Sequence, residues 1–157
     1  MLGVMKTVKG DLLKLAQQGE FDVIVHGCNC MCTMGAGIAK GIKAQFPAAF
    51  KVDQATKKGD RAKLGTCTHA DCPSRTGGKV TVVNAYTQYD YKGRGVKVDY
   101  DAVRKCMRWI AKRYQSKSIG LPMIGAGLAG GDWAKIQTII AEEMQGTNVT
   151  VVEFAAK

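Results

Sequence analysis

The sequence predicts a layered α/β domain with helices on both faces of its sheet. Apolar runs rich in β-branched residues alternate along the chain with segments whose apolar residues recur every three or four positions. The 157 residues suffice for one domain and leave no room for two cores, so residues 1–157 are predicted to form one unit. Hydrophobic residues make up 46% and charged residues 23%, a composition that excludes a mostly disordered chain.

The first half of the chain supplies two predicted strands and three helical segments. Residues 5–8 and 21–26 have strand composition, and Asp11 is placed to cap a brief helix between them. The apolar residues that mark the next helix at a spacing of four are Ile38, Ile42 and Phe46. This helix is predicted to end near Pro47, and a further helix is predicted at residues 48–56.

The second half alternates strands and amphipathic helices. The remaining strands are predicted at residues 65–70, 79–86, 118–123 and 148–154. One helix is predicted at residues 99–114, and apolar residues mark a last helix at Trp133, Ile136, Ile140 and Met144. The connecting segments are a charged turn at 57–63, a turn at 71–78, a polar loop at 88–97 and a glycine-rich loop at 125–131.

The charge balance is strongly positive and evenly distributed. The chain has 23 Lys and Arg against 13 Asp and Glu, a net charge of +10. Residues 1–78 hold 11 basic and 6 acidic side chains and residues 79–157 hold 12 and 7, so neither half is a basic tail. The charge is either a solvated basic surface or a field that attracts polyanions or small phosphorylated ligands. Composition alone leaves both interpretations open.

Six cysteines and two histidines are the candidate metal ligands and nucleophiles. The tight Cys28-x-Cys30-x-Cys32 spacing disfavours a zinc site. A chain of this length does not need disulfide bonds or a bound metal to fold. We therefore expect buried, reduced thiols and no metal or cofactor. No secretory signal is recognised in residues 1–10, and the uncharged, glycine-rich run at residues 118–131 is too short to cross a membrane. A cytoplasmic protein with no membrane partner is expected.

Two glycine-rich loops each follow the carboxyl end of a predicted buried strand, at residues 27–37 and 125–131. Glycines allow backbone amides and a following helix N-terminus to approach and bind an anion. The second loop matches the dinucleotide-binding pattern G-x-G-x-x-G, but no acidic residue ends a second strand after it, and neither loop continues into a Walker A lysine. The loops indicate a phosphate-bearing ligand, with tight turns as the alternative.

Polar side chains near these loops are candidates for binding or catalysis. They are Asp11, His26, Asn29, Asn84, Gln88 and Asp132. His26 ends a buried strand beside the first loop and is expected to titrate near neutrality, the alternative being a hydrogen-bonded histidine at a strand end. Asp132 opens the last helix and is either a functional carboxylate or a plain N-cap.

Four segments share their order and spacing with one known family. They are residues 8–13 (VKGDLL), 22–29 (DVIVHGCN), 34–39 (MGAGIA) and 122–133 (PMIGAGLAGGDW). Their order and spacing extend over nearly the whole chain and resemble the macro domain family. The chain is most similar to the branch that holds terminal ADP-ribose glycohydrolases, DNA de-ADP-ribosylating antitoxins and yeast-type ADP-ribose 1″-phosphate phosphatases.

The resemblance implies a three-layer α/β/α sandwich with a mixed sheet of about six strands, binding ADP-ribose in a cleft over the sheet edge. It places Asp11, with Leu12 beside it, at the adenine and Asn29 at the distal ribose. The resemblance assigns the first diphosphate loop to Gly35, Ala36, Gly37 and Ile38. It assigns the second to Gly125, Ala126, Gly127, Leu128, Ala129 and Gly130.

The catalytic residues of the family match less completely. Glycohydrolases of this branch attack the distal ribose with a lysine, whose place Gln88 holds here, and Ala129 stands where human-type enzymes have an aspartate. Because glutamine forms no Schiff base, the resemblance favours hydrolysis of ADP-ribose 1″-phosphate, with His26 or Asp132 as base or acid near Asn29. The alternatives are an ADP-ribosyl hydrolase acting on modified nucleic acid or protein, and a non-catalytic reader of ADP-ribose. The expected ligand is ADP-ribose or ADP-ribose 1″-phosphate, with nucleic acid as a further candidate partner. The protein is expected to be a monomer.

Overall fold

The computed structural model describes residues 5–93 and 95–155. Residues 1–4, which belong to the segment in which no secretory signal was recognised, lie outside this part. The strands are β1 (Lys6–Gly10), β2 (Val23–Cys28), β3 (Cys67–Pro73), β4 (Lys79–Tyr86), β5 (Ser118–Leu121) and β6 (Asn148–Phe154). The α-helices are α1 (Leu12–Gln17), α2 (Gly37–Gln45), α3 (Pro47–Gln54), α4 (Tyr100–Arg113) and α5 (Trp133–Glu143). A short 3-10 helix covers Arg61–Lys63.

The described strands join one six-stranded mixed sheet in the order β1-β6-β5-β2-β4-β3. The pairs from β1 to β4 are parallel, and β3 runs antiparallel to β4 along the edge. Since the carboxyl ends of parallel strands meet at one edge of a sheet, the loops after β2, β4 and β5 converge there. The predicted α/β fold with helices on both faces of a mixed sheet is confirmed.

β2 shows how the sheet separates two cores. Val23 and Val25 join the cluster covered by α4 and α5, whereas Ile24 and Cys28 join the cluster covered by α1, α2 and α3. His26 lies on the same side as Ile24 because successive side chains of a strand alternate between faces. The parallel strands in the middle of the sheet are therefore buried on both sides, as their continuous apolar runs predict.

The helices begin in two different ways. Asp11, Asp99 and Asp132 cap α1, α4 and α5, each accepting a hydrogen bond from an amide of the first turn. Ala36 precedes α2 and offers no side-chain acceptor. α2 ends before Pro47, which occupies the first position of α3, so the predicted helix boundary is confirmed.

The ends of β3 and β5 differ from the prediction, and the bounds of β1, β2, α3 and α4 differ from it by one or two residues. β3 continues to Pro73 instead of ending at residue 70, because Asp71 and Cys72 pair with Thr81 and Val80 of β4. Proline is tolerated at the end of β3 because this strand forms the edge of the sheet. β5 ends at Leu121, two residues earlier than predicted.

The charged turn predicted at residues 57–63 contains a buried cation. Lys63 lies in the 3-10 helix and keeps only 8% of its surface exposed. Its ammonium donates to Thr56 Oγ1 at 2.8 Å, which offsets part of the cost of burying the charge. Within residues 5–93 and 95–155 no helix is both long and apolar enough to cross a bilayer.

Candidate functional site: a cleft between two glycine loops

A cleft of about 610 Å³ opens at the sheet edge where the loops after β2, β4 and β5 meet. Its volume lies in the range of small-molecule binding sites. The loop after β2 and the start of α2 contribute Asn29, Thr33, Gly35, Ala36, Gly37, Ile38 and Ala39. The loop after β5 contributes Pro122, Met123, Ile124, Gly125, Gly127, Leu128 and Ala129. The remaining lining residues are Gly27, Cys28, Thr87, Gln88 and Tyr91.

Asn29 shapes the first loop through its own side chain. Its Oδ1 accepts from the Met31 amide at 2.8 Å, and its Nδ2 donates to Thr33 Oγ1 at 2.9 Å. Such a local side-chain turn stabilises irregular backbone. The amide of Asn29 is thus held at the cleft wall with both of its polar atoms oriented.

The N-terminus of α2 faces the cleft without a cap. Within the part of the chain that the structure describes, the amides of Gly37, Ile38 and Ala39 donate to no protein acceptor. The first amides of a helix have no partner inside it, and the helix dipole adds positive potential there. This end of α2 therefore offers several convergent donors to an anion.

The second loop is closed by its own backbone. The Gly131 amide donates to Gly125 O at 2.7 Å, and the Gly130 amide donates to Gly127 O at 3.0 Å. A Cβ on Gly131 would lie 2.6 Å from Gly125 O, so a larger residue does not fit. The amides of Gly127, Leu128 and Ala129 are left without an acceptor among residues 5–93 and 95–155. The loop thus presents a second set of donors opposite α2.

The cleft is polar through its backbone rather than through charged side chains. Its lining, as far as the structure describes it, contains no Lys, Arg, Asp, Glu or His side chain. Gln88 donates from Nε2 to Asp90 O at 2.9 Å. An anion bound here is stabilised by amide dipoles and a helix terminus, both of which are fixed by the fold.

His26 does not reach the cleft, and the prediction that it acts there as a base is wrong. Its side chain is fully buried, and its Nε2 lies 2.6 Å from Asn84 Oδ1. Asn84 uses its own Nδ2 to donate to Ala49 O and Thr68 Oγ1, so its oxygen faces the ring and His26 Nε2 carries the hydrogen. Burial lowers the pKa of His26 to about 4, and the ring is neutral at pH 7.

His26 belongs to a buried polar chain that runs beneath α3. The chain consists of His26, Asn84, Thr68, Tyr86 and Asp53. Tyr86 donates its hydroxyl to Asp53 Oδ1 at 2.7 Å, and burial raises the pKa of Asp53 above its usual range. Asp53 Oδ2 is buried without a hydrogen-bond partner in the described part of the chain. This chain ties β2, β3, β4 and α3 together behind the cleft.

Asp132 has the geometry of an N-cap. Its Oδ1 accepts from the Ala134 amide at 3.0 Å, and its own amide donates to the hydroxyl of Tyr100. It is exposed and is not among the residues lining the cleft. The cap interpretation is confirmed, and a catalytic role for this carboxylate stays a prediction.

Four predicted binding residues lie outside the cleft lining: Asp11, Leu12, Ala126 and Gly130. Asp11 follows β1 at the same sheet edge and caps α1, with Oδ1 accepting from the amides of Leu13 and Lys14. Its role at the adenine stays a prediction. Thr87 and Tyr91 were missed, although both follow the carboxyl end of β4, where the same edge rule would have found them.

The six thiols are unbridged, and those near the cleft are poor nucleophiles. Burial raises the pKa of the Cys28 thiol, and it raises that of Cys30 to about 11. Both are therefore protonated at neutral pH. No three His, Cys, Asp or Glu side chains gather into a metal-binding group anywhere in residues 5–93 and 95–155.

The geometry of the cleft agrees with a family match. The Macro domain model matches residues 25–140, which span both loops, most of β2 and all of β5. The chain belongs to the macro domain family. An X-ray structure of a protein from Bacteroides thetaiotaomicron has a TM-score of 0.79 at 28% identity, covering 96% of this chain and 99% of that one. The macrodomain of Mycobacterium tuberculosis DarG has a TM-score of 0.74 at 19% identity over 99% of both chains, which supports the macro domain fold.

Relatives of this macro domain include proteins named as hydrolases. An uncharacterized 17.5 kDa protein of Enterobacteria phage T4 is 32% identical over 96% of this chain and 97% of its own. An ADP-ribose glycohydrolase of Bos taurus is 26% identical, with 94% of this chain and 88% of that protein covered. A DNA ADP-ribosyl glycohydrolase of Mycobacterium tuberculosis is 25% identical over 87% of this chain, which spans only 37% of that longer protein.

Proposed function

We propose that this macro domain binds ADP-ribose in the cleft and hydrolyses ADP-ribose 1″-phosphate to ADP-ribose and phosphate. The observation that carries the proposal is the pair of opposed amide clusters, Gly37 to Ala39 on α2 and Gly127 to Ala129 on the second loop. Two facing sets of donors suit two linked phosphates. The names of the Bos taurus and mycobacterial relatives support a hydrolase of ADP-ribose derivatives.

The bound nucleotide would lie along the sheet edge in a defined direction. The diphosphate occupies the space between the two amide clusters, and Asn29 contacts the distal ribose. The adenine lies toward β1, where Asp11 and Leu12 follow the strand. In this direction the phosphate at C1″ would lie near Thr33, which accepts from Asn29, and near Gln88, whose amide donates to Cys28 O.

The reaction replaces one bond to phosphorus with another. Water attacks phosphorus, the bond between phosphorus and the C1″ oxygen breaks, and the proton lost by water ends on the leaving oxygen or on phosphate. Since the described lining holds no carboxylate or imidazole, most of the rate comes from positioning and from amide dipoles around the substrate. Asn29 fixes the ribose and the attacking water. Asp132, which follows Gly131 of the second loop, is proposed to relay the proton from that water to the leaving oxygen or to phosphate.

Phosphate release from ADP-ribose 1″-phosphate tests the proposal, with ADP-ribose affinity measured by calorimetry on the same samples. Asn29→Ala is expected to lower the turnover by roughly 100-fold or more, as loss of one transition-state contact does. Asp132→Asn keeps the shape of the cap and removes the carboxylate, and it should lower turnover without changing ADP-ribose affinity. Tight ADP-ribose binding without phosphate release would leave a non-catalytic reader and overturn the phosphatase.

A second candidate is removal of ADP-ribose from modified nucleic acid. It is favoured by the DNA ADP-ribosyl glycohydrolase relative, and Gln88 stands against a mechanism that needs a lysine nucleophile. Release of ADP-ribose from a modified oligonucleotide by the wild type, with none of the phosphatase activity, would establish it. Gln88→Lys should raise that release if only the nucleophile is missing.

A further inference from the structure

We infer that the helical layer beside the cleft, residues 37–63 of α2, α3 and the 3-10 helix, binds single-stranded nucleic acid. This basic layer holds seven basic and two acidic side chains, which is half of the excess positive charge of the whole protein. One of the seven, Lys63, is buried, and the others are exposed. They are Lys40, Lys43, Lys51, Lys57, Lys58 and Arg61. The inference goes beyond the proposed function, because it needs no reaction in the cleft.

None of these cations forms an ion pair with another residue of the described chain. Every salt bridge found within residues 5–93 and 95–155 lies elsewhere, between Asp71 and Lys79 or among the acidic and basic groups of α4 and α5. On α4, Arg104 and Arg108 both contact Glu143. The basic layer therefore keeps its field toward solvent, whereas the surface of α4 neutralises much of its own.

Flat groups lie among the charges of the basic layer. The Arg61 guanidinium stacks 3.7 Å from the centroid of the Tyr89 ring, and the Lys43 ammonium lies 4.6 Å from that of Phe50. The outer face of a stacked guanidinium is a platform for an unstacked base, and Tyr91, half exposed at the cleft, offers a ring. Planar groups beside cations favour a single strand over a duplex, whose bases are already stacked.

The basic layer is joined directly to the cleft. The Gly59 amide donates to Cys30 O at 2.7 Å, the Cys30 amide donates to Tyr89 O at 2.9 Å, and the Tyr89 hydroxyl donates to Gly59 O at 2.9 Å. These bonds tie the segment containing Lys57 and Arg61 to the loop of Asn29. A strand bound to the layer would therefore pass the cleft at the end where the distal ribose is proposed to lie.

A lipid surface fits the layer less well than a nucleic acid does. Membrane-bound helices insert large apolar side chains beside their cations. The exposed large hydrophobic residues in the described chain all lie outside residues 37–63: Val8, Tyr91, Val96, Leu128 and Phe154. The layer thus offers charge and planar groups without an apolar face to insert.

Fluorescence anisotropy with a labelled single-stranded 20-mer of mixed sequence, titrated with the full chain between about 50 and 200 mM salt, tests the inference. The double variant Lys57→Gln and Lys58→Gln should weaken binding about tenfold at the lowest salt. It should also flatten the plot of log affinity against log salt by about 1.4, because each lost phosphate contact on a single strand contributes about 0.7. The matched control on α4 and the turn after it, Lys112→Gln with Lys117→Gln, removes the same charge and should change affinity less than twofold.

Three results would overturn the inference. Equal losses in both double variants would show that net charge alone is responsible. Equal affinity for polyglutamate, for duplex DNA or for vesicles containing phosphatidylserine would remove the preference for a single strand. Absence of detectable binding of the 20-mer to the wild type at the lowest salt would contradict nucleic-acid binding altogether. Calorimetry with ADP-ribose on the same variants separates the proposals, since Lys57 and Lys58 lie outside the cleft and its affinity should not change.

Discussion

On one face of the sheet α4 and α5 bury a largely apolar cluster, cap their N-termini with Asp99 and Asp132, and pair surface cations with Glu142 and Glu143. On the other face α3 covers the buried polar chain, α2 begins without a cap, and the exposed cations of residues 37–63 have no ion-pair partner within the described residues. Each feature of the first face stabilises the fold by itself. The second face carries buried polar groups, helix amides without an acceptor and surface cations outside ion pairs in the described part of the chain, and it borders the cleft.

The difference indicates a division of labour between a scaffold and a binding face. A fold that gains stability from apolar packing and capped helices on one face can leave donors unsatisfied on the other, where α2 meets the cleft. Changes at matched residues on the two faces test this division.

The largest expected effect comes from the apolar face. Ile110 of α4 is fully buried, and Ile110→Ala should lower the free energy of unfolding by about 2–5 kcal/mol, because it removes buried area and leaves a cavity. Urea unfolding measures this loss. ADP-ribose affinity of the folded variant should be unchanged, and a tenfold loss of affinity would show that this face is not a separate scaffold.

Acid should destabilise the protein through the polar face. The pKa of His26 falls from 6.5 to about 4 on folding, so the unfolded chain binds the proton more readily in this window. The contribution of His26 to the free energy of unfolding is therefore fully present above pH 6.5. It declines as the pH falls toward 4, by at most about 3 kcal/mol. Asp53, whose pKa is raised by burial, opposes this trend at the acidic end. His26→Gln should flatten the decline in urea unfolding followed from pH 7 to 4, and an unchanged slope would contradict the assignment.

Two buried tyrosines make a matched pair across the sheet. Tyr86→Phe removes the donor to Asp53 Oδ1 and should cost about 1–3 kcal/mol, the price of a buried carboxylate left without a partner. Tyr114 packs in the apolar cluster, and its buried hydroxyl has no hydrogen-bond partner in the part of the chain described. Tyr114→Phe should change the unfolding free energy by less than about 0.5 kcal/mol. Equal losses in thermal or urea unfolding would contradict the contrast between the faces.

The smallest effects concern the helix caps and should have opposite signs on the two faces. Ala36→Asp gives α2 a capping carboxylate and should stabilise the fold by about 1 kcal/mol, while the new charge blocks the amides and weakens ADP-ribose binding. Asp132→Ala should destabilise the fold by about 1 kcal/mol and leave ADP-ribose affinity unchanged. Thermal unfolding and calorimetry measure the two quantities on each variant. Undiminished affinity in Ala36→Asp would remove α2 from the proposed anion site.

The fold and the two loops could be predicted because their signals are local. Glycines at Gly125 and Gly131 and the apolar spacing of α4 and α5 reflect backbone and packing demands that each segment meets alone. The extent of β3 could not be read from Asp71 and Pro73, which favour turns, because pairing with β4 overrides that preference.

The burial of His26 and of Lys63 could not be predicted from the sequence, because it also depends on long-range contacts. Nothing in the sequence around His26 shows that Asn84, 58 residues away, faces its ring and removes it from solvent. Lys63 looks like any lysine of a charged turn, and only the packing around Thr56 and Tyr86 buries it. Long-range contacts decide which polar groups reach the cleft, and the local pattern does not contain them.

The pairing of β1 with β6 also constrains how the molecule assembles. Within the sheet β1 has β6 as its neighbour, with Lys6 opposite Thr150 and Gly10 opposite Phe154. β1 comes first in the sequence but pairs with a strand more than 140 residues later. Its pairing therefore carries the entropic cost of closing nearly the whole chain. The central strands can pair earlier, since the connections between β2, β4 and β5 are shorter. Docking of β1 is thus the late, slow event expected in folding, and it completes the edge from which Asp11 extends.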